Sequence, residues 1–167
     1  MTILDGLNKV MDKLKRRLQP RNLWHLLAVG FGSGFSSVMP GTIGSLAAIP
    51  FWLLLIQLPW QLYLLLVIFA ICIGVHICHQ TAKYMRLHDH GSIVWDEFVG
   101  MWITLMSLPV NNWQWLIVGF VIFRILDIGK PWPICWFDSN FQGGIGIMID
   151  DIIAGVVSAG IIYLLGY

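Results

Sequence analysis

Charge is scarce in this chain. Only 11% of its 167 residues are charged, against about a quarter in a soluble domain, while 57% are hydrophobic. Such a deficit excludes an ordinary water-soluble globule. It also makes nucleic acid a poor partner, because a chain this apolar lives in lipid. Cysteine is scarce too. Cys72, Cys78 and Cys135 sit in apolar surroundings, which excludes a disulfide framework. Cys72 and His76 are four apart and would share a helical face, with Cys78 and His79 close behind. No second ligand cluster accompanies them, so helix packing is the expected role. The first 21 residues hold no apolar core and no cleavage site, so no signal peptide is expected. Two phosphate-handling signatures are missing as well. No stretch matches G-x-x-x-x-G-K-[ST], and no cysteine begins C-x₅-R: the residues six positions after the three cysteines are Cys78, Tyr84 and Phe141.

The charge that is present is unevenly placed. Lys9, Lys13, Lys15, Arg16, Arg17 and Arg21 face only Asp5 and Asp12, so residues 1–22 read as a basic tail. A cytoplasmic tail lying on anionic headgroups is the expectation. Residues 23–167 then form one membrane-embedded domain of four basic and seven acidic residues. Breakers divide its apolar runs into about five spans: Thr42–Leu58, Trp60–His79, Ile93–Leu108, Trp113–Ile128 and Ile149–Tyr167. Leu23–Val38 carries Gly30, Gly32 and Gly34, which would expose backbone to lipid, so it is expected to be re-entrant or interfacial. The fold class is an all-α integral membrane bundle. With the tail inside, every charged residue falls on or near the cytoplasmic side, and the two outer turns hold none.

Three acidic groups converge on that face: Asp96-Glu97, Asp127 and Asp150-Asp151. Like charges so placed repel one another unless a cation sits between them, and oxygen ligands suit a hard divalent ion such as Mg²⁺. Glu97, Asp127, Asp150 and Asp151 are the candidate metal ligands. Helix capping is the competing account for Asp96, Glu97, Asp150 and Asp151, where a helix N-terminus favours negative charge by about 0.3–1 kcal/mol. It does not serve Asp127, at a C-terminal end. Arg124, Asp127 and Lys130 are three apart, and two cations beside a metal-binding carboxylate suit a phosphate group; an intrahelical salt bridge is the alternative. "GSGFSSVMPGTIGS" (Gly32 to Ser45) adds Gly41, Thr42 and Ser45 at a helix start after Pro40, where free N–H groups attract anions. The pair of histidines in "HDH" (His88 to His90) could pass protons, though a solvated loop is the plainer reading.

"MPGTIGSLAAIP", "WDEFVGMW", "FRILDIGKPWPI" and "GGIGIMIDDIIAG", in that order, resemble the phosphatidylglycerophosphatase A family from about Gly30 to Gly155. The resemblance implies a Mg²⁺-dependent lipid phosphatase of the bacterial inner membrane, which removes the terminal phosphate of phosphatidylglycerophosphate to leave phosphatidylglycerol. It points to Asp96 and Glu97, Asp127 and Lys130, Asp150 and Asp151, and the Pro40-Gly41-Thr42 loop. It does not say which acid binds metal and which acts as base. Two readings from other classes stay open beside it. A phosphotransferase of phospholipid synthesis also uses clustered aspartates, but its D-G-x₂-A-R signature is absent, the one Asp-Gly pair being Asp5-Gly6 in the tail. A divalent-cation transporter would need acids near mid-bilayer.

Overall fold

The computed structural model describes residues 22–85, 91–108 and 113–166, and among them every element is helical with no strand. The basic tail, the His88–His90 stretch and the turn at Pro109–Asn112 lie outside the described residues. The elements run α1 (Leu23–Ala28), a 3₁₀ turn (Gly30–Phe35), α2 (Pro40–Leu55), α3 (Trp60–Met85), α4 (Trp95–Leu105), α5 (Gln114–Gly129), α6 (Ile134–Asn140) and α7 (Gly143–Gly166).

Local chemistry explains most of the boundaries. The Asn22 side chain accepts from Trp24 N and opens α1. The next stretch cannot continue as a helix, because Gly30, Phe31 and Gly32 all have positive φ, at 52°, 55° and 106°. Proline at the first helical position starts α2, where its missing N–H costs nothing.

Two helices are long and apolar enough to cross a membrane, α3 and α7. At 1.5 Å per residue they extend about 39 Å and 36 Å, more than the hydrocarbon core of roughly 30 Å. The others are shorter than that core: about 24 Å for α2 and α5 and about 16 Å for α4. Two boundaries depart from the sequence reading. The helix of the second apolar run continues past His79 to Met85, because "QTAKYM" holds no breaker and mostly good helix formers. The last helix begins at Gly143 rather than Ile149. Asp150 and Asp151 therefore lie two turns inside it, not at its end.

The last helix is the centre of the bundle, packed against α4, α3, α5 and α6. It approaches α4 backbone to backbone: a Cβ on Gly155 would stand 2.6 Å from the Gly100 carbonyl oxygen. Small residues at a crossing are how helices associate where lipid removes the hydrophobic drive. Three hydrogen bonds tie α2, α3 and α4 together. Tyr63 donates to the Trp102 carbonyl at 2.6 Å, Trp102 Nε1 to the Ala48 carbonyl at 3.0 Å, and Trp95 Nε1 to the Ala70 carbonyl at 3.1 Å. Each is worth about 0.6–2 kcal/mol in a bilayer. Phe98, Phe123, Ile77 and Ile162 fill the interior, while Leu65, Phe69, Ile125 and Leu164 point outward. An apolar exterior around a packed core fits lipid as the solvent.

Candidate active site

The α4–α7 crossing sets the site. Asp96 and Glu97 occupy the first turn of α4, and Asp150 and Asp151 face them from α7. The last two turns of α5 supply Arg124 and Asp127, and Lys130 follows as its C-cap in the left-handed conformation. The start of α2 closes the remaining side with Met39, Pro40 and Gly41. Together these residues line one cavity of about 450 Å³.

Two overlapping sets of carboxylates are poised to hold a cation: Asp96, Glu97 and Asp151, and Asp127, Asp150 and Asp151. Within each set one oxygen per residue lies within 4.8 Å of the others. Burial makes the arrangement expensive. Asp151 is 2% exposed, Asp96 and Asp150 8% each. Glu97 Oε2, Asp150 Oδ1 and Asp151 Oδ1 are buried oxygens with no hydrogen-bond partner. Ionised groups that deep cost several kcal/mol each unless paired, so three orphaned oxygens on one cavity fit a hard cation as their missing partner. Capping fails as an account of Asp150 and Asp151, which sit two turns inside α7. It retains part of its force for Asp96, whose Oδ1 accepts from Glu97 N at 3.1 Å. Among the described residues no group built on Cys72, His76, Cys78 or His79 has the arrangement of a metal site. Cys78 is buried with its Sγ 3.9 Å from Met148 Sδ, as packing requires.

The cations are held differently from one another. Arg124 pairs with Asp127 across one turn, and its Nη1 donates to Ser45 Oγ at 3.3 Å. Ser45 Oγ in turn donates to the Gly41 carbonyl at 2.9 Å. Lys130 Nζ reaches Asp150 Oδ2 at 2.7 Å and Asp138 Oδ1 at 2.6 Å. Partial burial alone would lower its pKa, but the two carboxylates outweigh that and hold it above the usual lysine range. A group raised in this way stays protonated, and keeps its contribution, at every pH below the ordinary lysine range.

Of the residues singled out in the sequence, Gly41, Asp96, Glu97, Arg124, Asp127, Lys130, Asp150 and Asp151 all meet at this cavity. Thr42 and Ser45 do not line it. Ser45 is fully buried behind Arg124, and Thr42 Oγ1 is buried without a partner. Gly41 is a wall: a Cβ there would run into Glu97 Oε1. Asp138 was missed as a holder of Lys130. It is nearly half exposed on the short helix α6, and only its chain separation of eight from Lys130 hinted at the pairing. No side chain caps the start of α2, whose Met39, Pro40 and Gly41 line the cavity, and an uncapped helix start suits an anion.

Known proteins resemble this chain along most of its length. The profile of the family described as phosphatidylglycerophosphatase A matches residues 26–166. The phosphatidylglycerophosphatase A of Escherichia coli K12 is 68% identical over 167 residues, covering all of this chain and 95% of that protein. That of Haemophilus influenzae Rd is 42% identical, covering 91% of this chain and 94% of the relative. A Bacteroides thetaiotaomicron protein named as a candidate phosphatidylinositol-3-phosphatase is 38% identical, covering 84% and 91%. No solved structure matches. On a profile spanning most of its length and relatives this similar, the chain belongs to the phosphatidylglycerophosphatase A family, a family of phosphatases.

Proposed function

We propose that the chain hydrolyses phosphatidylglycerophosphate to phosphatidylglycerol and inorganic phosphate, with Mg²⁺, at the cytoplasmic face of the bacterial inner membrane. The observation that carries this reading is the meeting of five carboxylates, Arg124 and Lys130 from three helices around one cavity. Membership of a family of lipid-phosphate phosphatases supplies the substrate class. The proposal includes about five passes, residues 1–22 on anionic headgroups, and residues 23–167 as the embedded catalytic domain.

In this mechanism Glu97, Asp127, Asp150 and Asp151 would hold the cation. Bound there, Mg²⁺ supplies Lewis-acid polarisation of the phosphoryl oxygens. The chain's own groups do the rest. The uncapped start of α2 and Arg124 orient the phosphate monoester, and its diacylglycerol part stays in lipid. A carboxylate of the cluster, with Asp96 as the candidate, takes a proton from the attacking water as the new P–O bond forms. The ester P–O bond breaks, and the departing glycerol oxygen leaves with a proton from solvent. Arg124 and Lys130 offset charge gathering on the phosphoryl oxygens in the transition state. A conduction path, by contrast, would space its acids through the bilayer; these five gather in one cluster.

The test is phosphate release by the purified chain from phosphatidylglycerophosphate and a panel of other lipid phosphates. Release that needs Mg²⁺ and stops in chelator supports the proposal; undiminished release in excess chelator overturns it.

A further inference from the structure

Asp151 belongs to both carboxylate sets. Its set with Asp96 and Glu97 lies on the α4 side of the cavity, and its set with Asp127 and Asp150 on the α5 side. We infer that the cluster is a double site, in which two divalent cations sit side by side and Asp151 bridges them. This deepens the proposed Mg²⁺ dependence and rests on it.

The first argument is the orphaned oxygens. Each set contains at least one buried oxygen without a partner that its neighbours leave unserved: Glu97 Oε2 in the first and Asp150 Oδ1 in the second. Asp151, 2% exposed, leaves Oδ1 unpaired as well. A single cation placed in one set would satisfy that set and leave the other's oxygen buried and bare.

Charge gives the second argument. The cavity holds five carboxylates against Arg124 and Lys130, a formal charge of −3. A phosphate monoester near neutral pH brings about −1.5 to −2 more. With one divalent cation the loaded site keeps roughly −3, a heavy cost in a buried cavity; with two it keeps roughly −1. Neither protein cation forms an ion pair with the first set: Arg124 pairs with Asp127 and Lys130 with Asp150 and Asp138, and Arg124 acts on Glu97 only through space. The division of labour is also what hydrolysis asks of paired metals, one near the entering oxygen and one near the leaving oxygen.

Mn²⁺ is the probe, because two Mn²⁺ ions sharing a carboxylate give a spin-coupled spectrum that isolated ions do not. The full chain in detergent should bind two Mn²⁺ at saturation by equilibrium dialysis and show the coupled signal. Asp151→Asn should lose the coupling. The double variants D96N/E97Q and D127N/D150N should each keep one ion with an isolated six-line spectrum, provided each elutes as a folded protein. Saturation at one uncoupled Mn²⁺ in the unaltered chain, with phosphate release still metal-dependent, overturns the double site and leaves the proposed function standing. No Mn²⁺ bound, and release indifferent to chelator, overturns both.

Discussion

Lys130 Nζ lies 2.7 Å from Asp150 Oδ2, spanning from the end of α5 to the third turn of α7. This bond holds one wall of the carboxylate cluster, because Asp150 is 8% exposed and Lys130 is its paired cation. Charge-assisted bonds of this kind are worth about 1.5–3 kcal/mol. Lys130→Met should therefore lower phosphate release by about 10- to 150-fold. Asp138→Asn removes the partner on the exposed side, where pairs contribute about 0–1 kcal/mol, and should cost less than about fivefold. Comparing the two variants under identical Mg²⁺ checks the assignment; equal losses would mean that Lys130 acts through Asp138 instead.

Gly41 offers a sharper test, because two effects pull in opposite directions. Alanine in a helix is more stable than glycine by about 1 kcal/mol, so Gly41→Ala should not weaken α2. Its methyl group would, however, push the Glu97 carboxylate aside, since Glu97 Oε1 stands where that Cβ must go. The end of a flexible side chain yields cheaply, so the fold survives and the site does not. A shift of about 1 Å in a positioned group can cost about 100-fold in rate. Unchanged thermal stability in detergent with at least tenfold slower phosphate release is the expected pair of results.

How much of this was legible beforehand divides by the kind of signal. The helical class, the apolar runs and all five acids of the cluster stand out because charge is so rare here that each carboxylate demands an account. The start of α7 was not legible. Gly143, Gly144 and Gly146 look like a loop, yet in a packed bundle they permit contact: a Cβ on Gly144 would strike the Val75 carbonyl of α3. Glycine thus carries two meanings, and only tertiary packing chooses between them. The position of Ser45 was not legible for a related reason. A hydroxyl near a helix start suits a ligand equally well as it suits a neighbouring arginine, and Arg124 comes from 79 residues away. Little in the sequence marks Asp138, because its pairing depends on the left-handed turn at Lys130 that sends the lysine side chain across.

The Ser45 relay predicts a modest effect with a particular shape. Removing the hydroxyl in Ser45→Ala leaves Arg124 paired with Asp127 but less firmly aimed. That bond is long, at 3.3 Å, and a typical net worth of about 0.5–1.5 kcal/mol means that release should fall about 2- to 12-fold. Arg124→Ala should cost far more, because it strips Asp127 of its partner and the phosphate of a charge-assisted donor. Steady-state kinetics on both variants distinguishes positioning from direct contact: the serine change should leave bound Mn²⁺ unaltered.

The crossing of α4 and α7 makes the last prediction, because it links stability to the site. A Cβ on Gly155 would stand 2.6 Å from Gly100 O, and one on Gly100 would stand 2.8 Å from Asp151 O. Both obstacles are backbone, which cannot swing away as a side chain can. Gly155→Ala must therefore separate the two helices that carry Asp96, Glu97, Asp150 and Asp151. Overpacking of this kind costs about 1–3 kcal/mol. Gly160 is the control on the same helix, since nothing lies within 4 Å of a Cβ built there. Gly155→Ala should lower the unfolding midpoint in detergent and weaken Mn²⁺ binding together, whereas Gly160→Ala should lower neither. Loss of stability with metal binding intact would show that the carboxylates are aligned by contacts other than this crossing.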